Sequence, residues 1–254
     1  VARDELFEPF AEYLMSKDIN IVKNFKDKYV LPNNIDESLM SNQLMLINEF
    51  QNKAMGYKGY IGKRLNNKTG SIVEQYKVYI KRLKRYLNNI KMNSPENDFE
   101  IMLLKVGNEY IKRAEYCISE IFNSSYMDII KRSMDRTEIC IGDADFSNLR
   151  KTDKLEIINI DKCNYNNIEI DCFNILSKYK RKGIKLDFKY LVDDFCKYSN
   201  LSKESNRFIL ALLSYPYEFM KCFNRYREKT KELSEEEYEN KLKKAIIKDG
   251  EVLF

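Results

Sequence analysis

Residues Glu138 to Cys163 read EICIGDADFSNLRKTDKLEIINIDKC. Two short β-branched runs, TEICIG (Thr137–Gly142) and KLEIINI (Lys154–Ile160), flank a polar stretch, which predicts two strands on either side of a loop. Inside that frame Asp143 follows a glycine, Asn148 comes five residues later, and Asp161 closes the second apolar run. Carboxylates and an amide so placed are the residue types that orient a hydroxyl and hold a divalent cation in phosphate transfer. Ile141 and Asn159 depart from that chemistry. The first can only pack, and the second is a neutral amide.

Outward from this stretch the chain reads as helix. Met40, Leu44, Ile47, Phe50 and Ala54 recur at helical spacing, with Asp36 and Ser38 as capping candidates. The segment from Gly56 to Gly70 carries four glycines and predicts a loop. Ile72, Tyr76, Tyr79, Leu83, Leu87 and Ile90 define a second helix that ends before MNSPEND. A third runs from Asp98 to Phe122, its stripe formed by Phe99, Leu103, Val106, Tyr110, Ala114, Cys117 and Ile121. After Asp161 the pattern predicts helices over Ile168–Lys180, Asp187–Lys197, Lys203–Leu213, Tyr217–Lys231 and Glu235–Lys248, with Pro216 at a joint. Before Asp36 there is one predicted helix, Leu6–Ser16, and an extended piece at KYVLP (Lys28–Pro32). The fold class is therefore mainly α (α+β): an N-terminal segment, 1–35, and a helical body, 36–254, with a small β insertion.

Composition excludes several chemistries. The chain of 254 residues has no histidine, which removes Ser-His-Asp triads, Cys-His pairs and histidine metal sites. Its cysteines, Cys117, Cys140, Cys163, Cys172, Cys196 and Cys222, form no CxxC pair, so buried reduced thiols are expected rather than zinc. The net charge of +5 is mild and does not argue for nucleic acid. No apolar run reaches the roughly 18 residues of a membrane span, and VARDELFEPF does not read as a signal peptide.

Five stretches, in order, resemble the spore-coat CotS branch of the aminoglycoside-phosphotransferase and protein-kinase-like superfamily: LINEFQNKAMGY (Leu46–Tyr57), IGDADFSN (Ile141–Asn148), NIDKC (Asn159–Cys163), IDCF (Ile170–Phe173) and ILALLSYPYEFMKCFNRYREK (Ile209–Lys229). The resemblance covers roughly Met40 to Lys231 and implies the helical C-terminal lobe of such kinases. By that resemblance Asp143 stands at the base position and Asn148 at a metal position. Asn159 replaces the strand-end aspartate that is the principal metal ligand, and Ile141 replaces a loop-bracing histidine. Asp171 stands where a structural aspartate holds the loop backbone. If the strand continues regularly, Asp161 shares a face with Asn159, about 6.5 Å further along, as a partial substitute. The superfamily's N-terminal nucleotide lobe, with its glycine-rich loop and strand lysine, is expected to be largely missing, because nothing before Leu46 reads as alternating strands.

Two further stretches have ordinary readings. YKVYIKRLKRY (Tyr76–Tyr86) interleaves basic and aromatic residues but fits a helix with a buried tyrosine stripe and a solvated face of Lys77, Lys81, Lys84 and Arg85. SEEEYENKLKKAIIK (Ser234–Lys248) runs from acids to bases, as a helix dipole favours. The expectation is a non-catalytic kinase-like module, a pseudokinase, with no cofactor. Its expected partners are coat or other cellular proteins, not a membrane or nucleic acid, after synthesis in the cytoplasm and with a place in a spore coat. The alternative is a divergent phosphotransferase using Mg-ATP on a small hydroxyl substrate, with Asp143 as base and Asn148 and Asp161 as metal ligands.

Overall fold

The computed structural model describes residues 4–25, 35–59, 64–229 and 233–254. Helix α1 (Asp4–Ser16) leads into β1 (Ile19–Ile21), while KYVLP lies outside the described residues. Asp36 starts α2 (Glu37–Ala54) by accepting the Leu39 N–H at 2.8 Å. The glycine-rich stretch that follows is not wholly loop, because Asn66–Asn67 form a short strand, β2. Then come α3 (Ser71–Asn93) and α4 (Asp98–Asn123), the latter capped by Asn97, whose side-chain oxygen takes the Glu100 N–H at 3.0 Å. The stripe of α4 passes through Gly107 and Ile111 rather than Val106 and Tyr110, which are only partly buried. Gly107 lets α3 approach, since a Cβ there would lie 2.8 Å from Leu87 Cδ1.

The short helix α5 (Tyr126–Arg136) has no counterpart in the periodic pattern. It precedes β3 (Ile139–Cys140), β4 (Leu149–Lys151), β5 (Leu155–Ile157) and β6 (Asn164–Tyr165). The two predicted strands do not pair with each other. β5 pairs antiparallel with β4, in the expected loop, and parallel with β1. β3 pairs antiparallel with β6, and β6 pairs parallel with β2. The insertion is therefore two three-stranded sheets, β1-β5-β4 and β2-β6-β3. Their separation follows from the tight 152–154 turn, which folds β4 onto β5 and leaves Ile139–Cys140 to find a partner beyond Asp161.

The remaining helices are α6 (Glu169–Arg181), α7 (Phe188–Tyr198), α8 (Lys203–Ser214), α9 (Tyr217–Arg227) and α10 (Glu235–Asp249). α9 ends earlier than its apolar pattern suggests, where Lys229 turns at φ +46°. α10 opens on a reciprocal cap: Ser234 and Glu237 each accept the other's backbone N–H, at 3.2 and 2.9 Å. One apolar core runs through the helices and under both sheets, and all six cysteines are unpaired and buried. The face Lys77–Arg85 is solvated as expected: Tyr76 stacks on Tyr215 at 3.6 Å, while Lys77 and Lys84 pair with Glu74 and Glu115. Among the described residues no helix is long and apolar enough to cross a membrane.

Candidate functional site at the Asp143 loop

The loop between β3 and β4 rests on a buried floor. Asp171, in the first turn of α6, accepts the backbone N–H groups of Ile141 (2.7 Å) and Gly142 (2.9 Å) and the amide of Gln51 from α2 (3.0 Å). Burial pushes the Asp171 carboxyl up to about 6, against the pull of those bonds on its ionised form. Gln51 also donates to the Ile168 carbonyl at 3.1 Å, and Gln43 reaches the carbonyls of Ala144 and Leu149 at 3.1 and 3.2 Å. Ile141 is fully buried in the core, its side chain packing while its N–H serves Asp171. Gly142 sits at φ +75°, and a Cβ there would fall inside the contact radius of the Lys162 carbonyl oxygen. Only glycine lets the two sides of the loop meet backbone to backbone.

On this floor the residues picked out from sequence converge. Asn148 donates to the carbonyls of Asp143 (2.8 Å) and Asn159 (3.0 Å), and its own amide oxygen accepts the Asn159 N–H at 2.7 Å. The strand predicted through Ile160 ends at Ile157, so Asn159 and Asp161 do not sit at regular strand spacing. Instead the Asn159 oxygen accepts the Asp161 N–H at 2.7 Å and its NH₂ reaches the Asp161 carboxylate at 3.3 Å. The Asp143 carboxylate is ion-paired with Lys162 at 2.6 Å, both side chains being solvent-accessible (39 and 62% exposed). Among the described residues no group of three or more Cys, Asp or Glu is arranged to hold a metal ion.

Other polar residues at the loop carry no signal in the sequence. Asp145 pairs with Lys178 and accepts the Tyr179 hydroxyl at 2.7 Å. Burial pushes its carboxyl up, but the Lys178 and Tyr179 bonds outweigh it and hold it below the usual carboxylate range. Behind β3, Arg132 bonds Glu138 (2.9 and 3.1 Å) and Glu169 (2.8 Å), and Ser205 donates to Glu169 at 2.6 Å. Burial pushes the Glu138 carboxyl up against the pull of Arg132.

Over most of the chain the fold matches a solved architecture. The crystal structure of an aminoglycoside phosphotransferase from Alicyclobacillus acidocaldarius subsp. acidocaldarius DSM 446 superposes with a TM-score of 0.63 at 12% sequence identity. The fold is kinase-like. The match covers 84% of this chain and 62% of that one, so the chain spans less than two thirds of that protein's length. No protein-family model matches the chain, and no curated protein matches it. On this kinase-like fold the Asp143 loop, its α6 anchor and the two glutamines of α2 form one connected polar unit among the core helices.

Proposed function

We propose that this chain is a non-catalytic kinase-like module of the CotS type, which works by binding other proteins of a spore coat rather than by transferring phosphate. The observation that carries this reading is the engagement of the loop's would-be metal and base groups. Asp143 is neutralised by Lys162, and the oxygens of Asn148 and Asn159 are spent on main-chain N–H groups. Magnesium takes hard, preferably anionic oxygens in octahedral geometry, and a triphosphate adds negative charge that the cation must offset. Two neutral amides already donating and accepting within the loop, with one carboxylate held by an ammonium, do not fit a magnesium–nucleotide complex. Asp161 lies beside Asn159 but bonds to it, so the substitute ligand expected from strand geometry has no support in the turn. The test is an ATP-dependent transfer assay across aminoglycosides and small alcohols. No turnover is expected; turnover that disappears in Asp143→Ala overturns the reading. Coat placement is tested by extracting spores of the producing organism, where recovery in the coat fraction is expected and recovery only from the mother cell contradicts it.

A second reading, a divergent phosphotransferase for a small hydroxyl compound, is favoured by the fold and by the presence of both Asp143 and Asn148 in one loop. It requires Lys162 to swing away, which an exposed ion pair worth at most about 1 kcal/mol permits. The same assay separates the two readings.

A further inference from the structure

Helices α9 and α10 pack side by side at the far end of the chain, and their shared groove is strongly basic. A pocket of about 310 Å³ opens between them, and Lys221 and Arg225 of α9 and Lys241, Lys244 and Lys248 of α10 all line it. Among the described residues Glu218 is the one acid in the lining. It lies 3.9 Å from Arg181, on the neighbouring helix α6. Among the described residues none of the five cations is ion-paired, although Lys243, one position from Lys244, pairs with Glu239 at 2.5 Å. The helix thus pairs its outward lysine locally and leaves those facing the groove, among the described residues, outside any ion pair.

The convergence extends below the rim. Lys221 Nζ lies 5.4 Å from the Tyr217 ring centre and the Arg181 guanidinium 5.7 Å from the same ring. Lys221 is half-buried, and burial, together with the charges of Arg225, Arg181 and Lys248 and against that of Glu218, holds its ammonium below the usual lysine range. Asp249 does not relieve the repulsion. Its carboxylate is buried and spent on the N–H groups of Glu218 and Phe219, at 2.8 and 2.9 Å, where it caps α9.

We infer that this groove binds a small anion carrying several phosphoryl groups, such as an inorganic or inositol-type polyphosphate. Five cations around so small a pocket supply more charge than a single phosphate takes up. Lysine ammoniums are point donors suited to phosphate oxygens spread in several directions. The pocket has the volume of a small-molecule site, and among the described residues it lacks a row of exposed aromatic rings on which bases of a nucleic acid stack. The site lies on α9 and α10, apart from the Asp143 loop, and the inference does not depend on how that loop is read.

The test is calorimetric titration of the full chain with sodium tripolyphosphate at low ionic strength. Saturable binding is expected, weakened about tenfold by Lys221→Ala or Lys244→Ala, in line with losing one charge-assisted contact. The affinity should fall steadily with added salt, and Asp143→Ala should leave it unchanged. Orthophosphate should bind at least about tenfold more weakly. Phosphatidylcholine vesicles containing phosphatidylinositol bisphosphate identify the source: co-sedimentation that tripolyphosphate displaces assigns the groove to a headgroup of the same chemistry. Three results would overturn the inference. The first is no saturable heat with tripolyphosphate. The second is equal affinity in a Lys221→Ala/Lys244→Ala double variant with wild-type helical circular dichroism. The third is groove-dependent binding of a single-stranded oligonucleotide without any of tripolyphosphate.

Discussion

The floor and the tip of the Asp143 loop are built on different physics. The floor is buried: Asp171 satisfies two backbone N–H groups and Gln51, and Gly142 allows main chain to touch main chain. Hydrogen bonds to a buried charge contribute about 1.5–3 kcal/mol each, and leaving their partners unpaired costs more. The tip is open to water, and its ion pair between Asp143 and Lys162 contributes at most about 1 kcal/mol. Asn148 belongs with the floor, since its three bonds tie the two sides of the loop together, but loop geometry does not depend on the charged groups at the tip, Asp143 and Lys162. A sequence can lose or neutralise those groups while the scaffold that presents them stays intact.

Substitutions that sharpen this contrast range from large effects to small. Gly142→Ala should be the most damaging, costing about 3 kcal/mol or more in urea denaturation, because it adds a clash with the Lys162 carbonyl to left-handed strain. A loss below about 1 kcal/mol would mean the two sides of the loop are not in contact. Asp171→Ala should cost about 3 kcal/mol by orphaning the N–H groups of Ile141 and Gly142. If Asp143→Ala cost as much, the floor–tip distinction would fail.

The floor also has a pH signature. Burial holds the Asp171 carboxyl, and away from the loop that of Asp249 beneath α9, at about 6, above the roughly 4 of an unfolded chain. Between those values the folded chain binds more protons than the unfolded one. The stability these groups contribute is thus complete below about pH 4 and is lost as pH rises through about 6. Asp145, whose carboxyl is held low, acts oppositely: its contribution is lost as pH falls through its folded value. Denaturation curves from pH 4 to 7 should show Asp171→Asn losing its share of the decline. An unchanged slope would show that Asp171 does not titrate in this window.

At the tip the expected change is a gain. Asn159→Asp combined with Lys162→Met places a carboxylate at 159 and frees Asp143, and should raise Mn²⁺ affinity about tenfold or more by electron paramagnetic resonance. No gain would mean that charge is not what the tip lacks. Smallest of all, Lys162→Met alone should change stability by less than about 1 kcal/mol.

Much of the scaffold is legible from residue spacing. Leu83, Leu87 and Ile90, or Phe99, Leu103 and Cys117, recur at helical intervals because each helix buries one face, and α3, α4 and α8 follow those patterns to within a residue or two. α5 escapes because YMDIIKRSMDR is short and buries only Tyr126, Ile129 and Ser133. β4 and β6 escape because two or three residues, some of them charged or amide, leave no alternation to read. At the loop, Asp143, Asn148, Asn159 and Asp161 are visible as a cluster in sequence, and they do meet in space. Gln43 and Gln51 are not visible, since on α2 they look like any surface amide and acquire partners only across the tertiary fold. Lys162 is one residue from Asp161, but its contact with Asp143 depends on a turn that strand-like spacing does not foresee.

The central claim, that the oxygens of Asn148 and Asn159 and the Asp143 carboxylate are already committed within the chain, is tested most directly by calorimetric titration with ATP at millimolar concentration, with and without magnesium. The account predicts no saturable heat attributable to the Asp143 loop in either condition. Saturable, magnesium-dependent binding that is abolished by Asp143→Ala and unaffected by Lys221→Ala would contradict it.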